Sequence, residues 1–462
     1  MKFGIWASSF LVLGGIAVST SIGQAETLHD ALVAAYSNNP TLNAARAGQR
    51  ATNENVPLAL SGRRPTVTAT GQIGAQTNRT FNSAGFAAGG NNDFAQGNIG
   101  LSLSQNVFNG FQVQNNIKAA EAGVKAGFEN LRNTEQTILT QVVTAYVDVL
   151  RDRKIVRLQE QDVAFSREQV RAARAQRDVG EGTRTDVALA EAQLASSLTE
   201  LAVARSNLRT SEATYVQIVG KRPGSLSPAS PAVKFLPSSL SDAISISQRE
   251  HPLVRAAQHN VDSGQFNVKV AEGTLLPSVT LNGSYQRSFQ AGTLDSNTDV
   301  AQVTADISLP LYSGGSRFSQ IRQSKETVGQ LRIQVDEVRR SIEQAVRSSW
   351  SALQSARSQI RSAQSNVRAS QVAVEGLIEE RKVGQQTTLD VLIAQSNLID
   401  AQVVLENAAR DRIVASYNLL SSIGRFDAER VRVAQRTNVE SPKIHYAKVR
   451  DKWFGLRTPS GQ

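Results

Sequence analysis

Arg177-Asp178-Val179-Gly180-Glu181-Gly182-Thr183-Arg184-Thr185-Asp186-Val187 returns 204 residues later as Arg381-Lys382-Val383-Gly384-Gln385-Gln386-Thr387-Thr388-Leu389-Asp390-Val391. Each copy lies between a long stretch of helical pattern and a shorter one. Glycine at 180 or 384 can take the left-handed backbone that ends a helix, a conformation costing a residue with a Cβ about 1–2 kcal/mol. Thr183 and Thr387 stand where the next helix needs a cap, and Asp186 and Asp390 follow at the spacing of a capping box. Both copies therefore read as tips of long antiparallel helical hairpins.

Outward from the tips the chain repeats. Pro40 and Pro252 lie 212 residues apart, as do Pro65 and Pro277. From Phe108-Asn109-Gly110 against Tyr312-Ser313-Gly314 onward the spacing is 204, and it holds for Tyr146 and Trp350, and for Gly220 and Gly424. Two constant spacings with one change between them mean two copies of one unit. The eight-residue difference falls between Pro65 and Phe108, in a loop. The expected organisation is a leader at 1–25, a first repeat at 26–222, a Pro/Ser-rich linker at 223–238, a second repeat at 239–425 and a basic, mobile tail at 426–462.

Within a unit, a short helical stretch (27–37; 239–249) precedes a proline suited to the first turn of the next helix (40–62; 252–274). Two strands follow. Val67, Ala69, Gly71 and Ile73 alternate with Thr66, Thr68, Thr70 and Gln72, and Ile99, Leu101 and Leu103 alternate with Asn98, Ser102 and Ser104. The second copy sets Val279, Leu281 and Tyr285 against Thr280, Asn282 and Ser284, then Val303, Ala305 and Ile307 against Gln302, Thr304 and Asp306. Period two with one polar face predicts β-hairpins over about 66–107 and 278–311, their Gly/Asn-rich ends (Gly85–Asn92) toward solvent. Each strand is about 12 residues, enough for a tilted membrane strand, which needs ~9–11. A long helix of about 65–70 residues then runs to each tip, with Leu331, Val335, Val338, Ile342 and Val346 in coiled-coil spacing, and a helix of about 37 residues returns.

Lys2, an apolar run to about Val18 and the small-residue end Gly23-Gln24-Ala25 read as a secretory leader. No other stretch has the ~18–20 continuous apolar residues of a spanning helix, so strands must do any spanning. The 462 residues hold no cysteine, which excludes a disulfide framework and suits a bacterial envelope. Fifty Lys and Arg against forty Asp and Glu give +10, but the cations are interleaved with Glu, Asp, Gln and Ser along helical faces, so nucleic acid is not an expected partner. His29, His251, His259 and His445 make no metal-ligand set, and no phosphate loop or nucleophile elbow appears, so neither cofactor nor enzyme activity is expected.

Four strands cannot close a membrane barrel, which begins at about eight, and an open edge in lipid leaves N–H and C=O groups unpaired at several kcal/mol each. Chains must share one barrel. Two copies would give 8 strands around a filled interior, and three would give 12 around water, which the Thr, Gln, Asn and Ser alternates suit.

The duplicated order of elements, the Asn39-Pro40 and Pro65-Thr66-Val67 signatures, and Leu309-Pro310-Leu311-Tyr312-Ser313-Gly314-Gly315 together resemble the TolC family over about 27–425. The resemblance implies a mainly α fold with membrane β: a homotrimer with a 12-stranded outer-membrane barrel continued by a long periplasmic α-helical barrel. It implies a passive exit duct for drug efflux or type I secretion, docked through its tips to a periplasmic adaptor that serves an inner-membrane pump. Arg177, Val179, Gly180, Val383 and Gly384 become adaptor-contact residues. Asp390 matches a position that narrows the periplasmic entrance, while the acidic position one turn on is Ile393. Thr185 and Asp186 match one side of the family's tip latch. The family's Tyr and Arg at the second tip are Arg381 and Gln386 here, so an Arg381–Asp186 ion pair is the expected substitute. A soluble periplasmic coiled-coil scaffold or adaptor is the competing reading, and it leaves the lipid-length hairpins unexplained.

Overall fold

The computed structural model describes residues 25–78, 92–291, 296–437 and 439–456. The expected leader apart from Ala25, and the loop Gly85–Asn92 apart from its last residue, lie outside the described residues. The first repeat comprises α1 (Leu28–Asn38), α2 (Pro40–Asn53), α3 (Asn55–Ser61), β1 (Thr66–Asn78), β2 (Asn92–Asn109), α4 (Gln112–Asp178) and α5 (Arg184–Val219). The second comprises α6 (Leu240–Glu250), α7 (Pro252–Gly273), β3 (Ser278–Ala291), β4 (Ser296–Ser308), α8 (Ser316–Lys382) and α9 (Thr388–Ser422), and α10 (Pro442–Val449) follows.

Helix starts follow local chemistry. The Asn39 side chain accepts from the Leu42 N–H at 3.1 Å, and His251 Nδ1 accepts from the Leu253 N–H at 3.2 Å, each just before a proline in the first turn. Burial, with the Arg132 charge nearby, pulls His251 down to about 4, which keeps that nitrogen free to accept. The single helix expected over 40–62 is instead two. Pro57 has no N–H for the Asn53 carbonyl, so α2 ends and α3 begins at Glu54. The second repeat has no such proline, and α7 runs unbroken for 22 residues.

Short helices stand on the ends of the return helices. Asn39 Nδ2 donates to the Ile218 carbonyl in the last turn of α5 at 2.9 Å, which seats α2 on α5. Gly424, which follows α9, lies so close to α7 that an added Cβ would come within 2.6 Å of His251 Cα. Each junction sets the negative end of one helix against the positive end of the next. In the lower part α4 packs between α5 and α9, and α9 packs on α8, giving the wall order α5–α4–α9–α8. Above, α2 and α3 lean on α4, and α7 lies between α4 and α8. The flanking helices expose apolar side chains: Leu198 and Val203 on α5, Ile333 and Val372 on α8. One described helix, α5, is long and apolar enough to cross a membrane by length and composition, with a mean hydropathy of 1.2. Glu191, Gln193 and Glu200 interrupt it, so it is not the continuous apolar run that a spanning helix needs. It lies along α4, with part of its apolar surface packed there and part exposed.

The main core sits where the hairpins are rooted. Tyr146 and Tyr215 are fully buried there. Tyr146 Oη donates toward the Glu26 and Ser227 carbonyls, each at 2.7 Å, and Tyr215 Oη donates to Glu26 Oε1 at 2.6 Å. A parallel bridge between Glu26 and Leu226 completes a strap that ties the inter-repeat linker to the residues just before α1.

The segment after residue 425 corrects an expectation. Lost periodicity suggested a mobile tail, but Phe426 and Val433 are fully buried in the root core, and α10 packs on α2. Asp427 accepts from Arg132 at 2.6 Å, and Glu250, held down to about 2 by Arg425 and Arg430, fastens the same segment to the end of α6. Single anchors hold this segment, and they leave no period to read.

The four strands form one antiparallel sheet in the order β1-β2-β3-β4. Paired residues share a face, so the register defines two surfaces. Val67, Leu103, Gly283 and Val303 form one row and Ala69, Leu101, Tyr285 and Ala301 the next on the same side. The opposite side carries Thr66, Ser104, Asn282 and Thr304, then Thr68, Ser102, Ser284 and Gln302. The apolar face is open: Ile73 is 87% exposed, Val303 76% and Ile307 73%. Along β3 this side carries Val279, Leu281, Tyr285 and Phe289, roughly 34 Å of strand or about 25 Å of height at a ~40° tilt, with an Arg287–Asp299 ion pair at 3.7 Å in the row below Phe289. That is the height of a lipid-facing band. At the sheet's lower end Gly110 turns the chain into α4 at φ +64°, against the Gly273 backbone, leaving no room for a Cβ.

Candidate functional site

The tips close by the same backbone circuit. After α4 the Gly180 N–H reaches the Arg177 carbonyl at 3.0 Å and the Glu181 N–H reaches the Gln176 carbonyl at 2.9 Å; after α8, Gly384 to Arg381 and Gln385 to Glu380 repeat it at 3.0 Å each. Gly180 sits at φ +82° and Gly384 at φ +79°. The next helix then starts with a full capping box. Asp186 accepts from the Thr183 N–H at 2.9 Å and hydroxyl at 2.6 Å, and donates its own N–H to Thr183 Oγ1 at 3.1 Å. Asp390 does the same with Thr387, at 3.0, 2.5 and 3.3 Å. The threonine hydroxyl holds each carboxyl below the usual carboxylate range. Both tips therefore keep a fixed negative charge at a helix N-terminus, where the dipole favours it.

Around this shared backbone the side chains differ. Val179 and Val383 are exposed at 72% and 70%, an apolar knob on each tip. Arg177 pairs with Asp178 at 2.6 Å on its own tip. Arg381 instead donates to Gln169 Oε1 on α4 at 2.6 Å, which ties the second tip to the first hairpin. Leu392, buried among Val170, Ala173, Val187 and Ala190, makes the same tie with apolar contact. Among the described residues no ion pair joins Arg381 to Asp186 within one chain, because Gln169 and Thr183 hold them. Thr185 is exposed beside Asp186, and Gln386 is half-buried beside Thr387. Ile393, where a second acid would stand, is 51% exposed on α9. Sequence reasoning missed Gln169 and Leu392. Both belong to the packing of one hairpin on the other, and no local motif marks them.

Among the described residues no group of acidic or histidine side chains could hold a metal. What the arrangement offers is a two-faced sheet, open at β1 and β4, above a helical wall flanked by α5 and α8.

Residues 31–221 and 243–425 match the family model for outer membrane efflux proteins. The chain is 44% identical over 460 residues to outer membrane efflux protein BepC of Brucella suis biovar 1, covering 98% of this chain and 96% of that one. It is 25% identical over 433 residues to outer membrane protein TolC of Escherichia coli K12, covering 89% and 85%. Its fold superposes on the CmeC outer membrane channel of Campylobacter jejuni with a TM-score of 0.76 at 15% identity, covering 98% of each chain.

Proposed function

This chain belongs to the outer membrane efflux protein family, and on that premise we propose that three copies finish one another's walls. The product is an outer-membrane exit duct for efflux and type I secretion. The observation that carries the reading is the open sheet, whose apolar face has the height of a lipid band and whose other face is Thr, Ser, Asn and Gln. β1 and β4 run in opposite directions, so β4 of one copy can pair antiparallel with β1 of the next. Three copies give 12 strands around a wet lumen. The same operation sets the exposed apolar side chains of α5 against α8 of a neighbour and continues the wall below the membrane. Entry behind a leader at 1–25 supplies the route to the envelope. Energy comes from an inner-membrane pump reached through a periplasmic adaptor, for which the Val179 and Val383 knobs and the backbone turns at Gly180 and Gly384 are the contact surface.

In such a trimer the Asp390 carboxylates gather around the periplasmic end and narrow it. Purified protein in a planar bilayer should conduct in uniform steps; a protein that never inserts, and that carbonate releases from outer membranes, contradicts the duct. Asp390→Asn should weaken block of that conductance by divalent cations, and unchanged block removes the ring. Arg381 meets Asp186 of a neighbouring copy when the tips close. Exchanging the two charges should then restore the conductance that either single reversal changes, and additive changes reject the pairing.

A further inference from the structure

The segment after Phe426 climbs the molecule. Its contacts with α4 move steadily toward the sheet: Asp427 with Arg132, the Tyr446 ring edge-on to Phe128 at 6.1 Å, then Arg450 with Glu121 at 3.2 Å. In parallel, His445 meets Asn53 of α2 at 3.3 Å. Beyond α10 the segment reaches the foot of the sheet. Arg64, two residues before β1, donates to the Lys452 carbonyl at 3.3 Å, and its guanidinium lies 4.3 Å over the Trp453 ring. The Arg63 carbonyl accepts from Gln105 of β2 at 2.7 Å, which fixes this level against the strands. The described part of the climbing segment therefore reaches the level where the apolar band begins.

What it presents there is not water-soluble in character. Trp453 is 59% exposed, Phe454 86% and Leu456 fully exposed, three apolar side chains within four residues. The same level exposes Phe111, just before α4, and Tyr312, between β4 and α8. Arg63, Arg64 and Lys452 bring positive charge to it. Amphipathic aromatic rings with cations beside them are the side chains that settle at the headgroup level of a bilayer.

We infer that Trp453, Phe454 and Leu456 form a lipid anchor in the periplasm-side leaflet, with Arg63 and Arg64 facing the phosphates of phospholipid headgroups. The occupant is the bilayer, because the patch is continuous with the lipid-facing band and carries the charge that phosphate attracts. The anchor rests on the membrane placement proposed above. It adds a contact outside the barrel that fixes the height of the wall relative to the bilayer.

The chain has three tryptophans, and replacing Trp6 and Trp350 by Phe leaves Trp453 as the sole emitter. The full chain, reconstituted in phospholipid nanodiscs, is read with and without lipids brominated near the glycerol end, and with aqueous iodide. The anchor predicts emission shifted to the blue, quenched by brominated lipid and shielded from iodide. Quenching by iodide alone would put Trp453 in water, and protection from both quenchers would put it under a neighbouring subunit; either result overturns the proposal. A second reporter, Leu101→Trp with all three native tryptophans replaced by Phe, sits in the middle of the band. If it is quenched by brominated lipid while Trp453 is not, the anchor fails and the membrane placement stands. If neither is quenched, the placement itself fails.

Discussion

The two hairpins share a backbone and differ in what fills their seams. In the first, Asp152 of α4 is buried and accepts from the Ser211 hydroxyl, and Asp162 accepts from Ser197 at 2.5 Å while Ser166 lies 3.1 Å from the same hydroxyl. Move 204 residues along and the buried carboxylates are gone, Asp162 becoming an exposed Asn366 that accepts from Ser370 at 3.4 Å. Asp152 becomes Ala356, Ser211 becomes Ala415, Ser197 becomes Ala401 and buried Gln159 becomes Ala363, all buried. One seam is held by directional hydrogen bonds, which fix which residue faces which. Its copy is held by small side chains that let helices approach and constrain sliding less. The duplication shows that the fold needs filled seams and closed tips, and that a particular interior chemistry is not required.

The comparison can be broken by transplanting one seam into the other. Ala356→Asp buries a carboxylate with no hydroxyl opposite and should cost about 3–5 kcal/mol, read as a large fall in the thermal midpoint of the purified assembly. Adding Ala415→Ser should recover about 1–3 kcal/mol of it, since the new hydroxyl can donate as Ser211 does. If the double variant melts no higher than the single one, the seams are not equivalent frames.

A smaller effect separates the hairpin roots. Glu135 is pushed up to about 7, chiefly by burial and in part offset by Arg46 and the Tyr36 hydroxyl 3.3 Å away. Its counterpart 204 residues on is Arg339. The folded chain holds a proton on Glu135 between its ordinary 4.5 and about 7, where the unfolded chain has lost it. That contribution is complete below about 4.5 and disappears as pH rises through 7. Glu135→Gln keeps the neutral form, so it should match the native protein at pH ~4 and exceed it at pH ~8 by roughly 3 kcal/mol. Parallel melting curves across that range would exclude the assignment. The mildest change is expected from removing a polar pair outright. Asp152→Ala with Ser211→Ala turns that part of the first seam into the second; Arg151, which also donates to Asp152 at 2.8 Å, keeps Asp148 at 3.3 Å, so the change should stay within about 1 kcal/mol of the native protein.

These contrasts also separate what could be read from residues and what could not. The tips were legible because everything they need is local: a glycine for the left-handed step, and a threonine and aspartate three apart for the cap. The sheet faces were legible because a strand with two environments writes them in alternate residues, as Leu101 and Leu103 do against Ser102 and Ser104. The break at Glu54 was written in Pro57 and outweighed by the helical pattern around it. Arg381 on Gln169 was beyond reach, since the partner lies 212 residues back on another hairpin and is chosen by how α9 packs on α4. The climbing C-terminal segment was equally hidden. Phe426, His445, Tyr446 and Trp453 each meet a different element, and such contacts leave no rhythm.

Both hairpins serve the account only if sister copies complete the wall. The chain has no cysteine, so an engineered pair reports alone. Val67→Cys on β1, combined in turn with cysteine at Ala301, Val303, Ala305 or Ile307 on β4, should give one register in which oxidation links three chains into a covalent ring in outer membranes. Monomers locked to themselves, or open ladders without a closed trimer in every register, would contradict it.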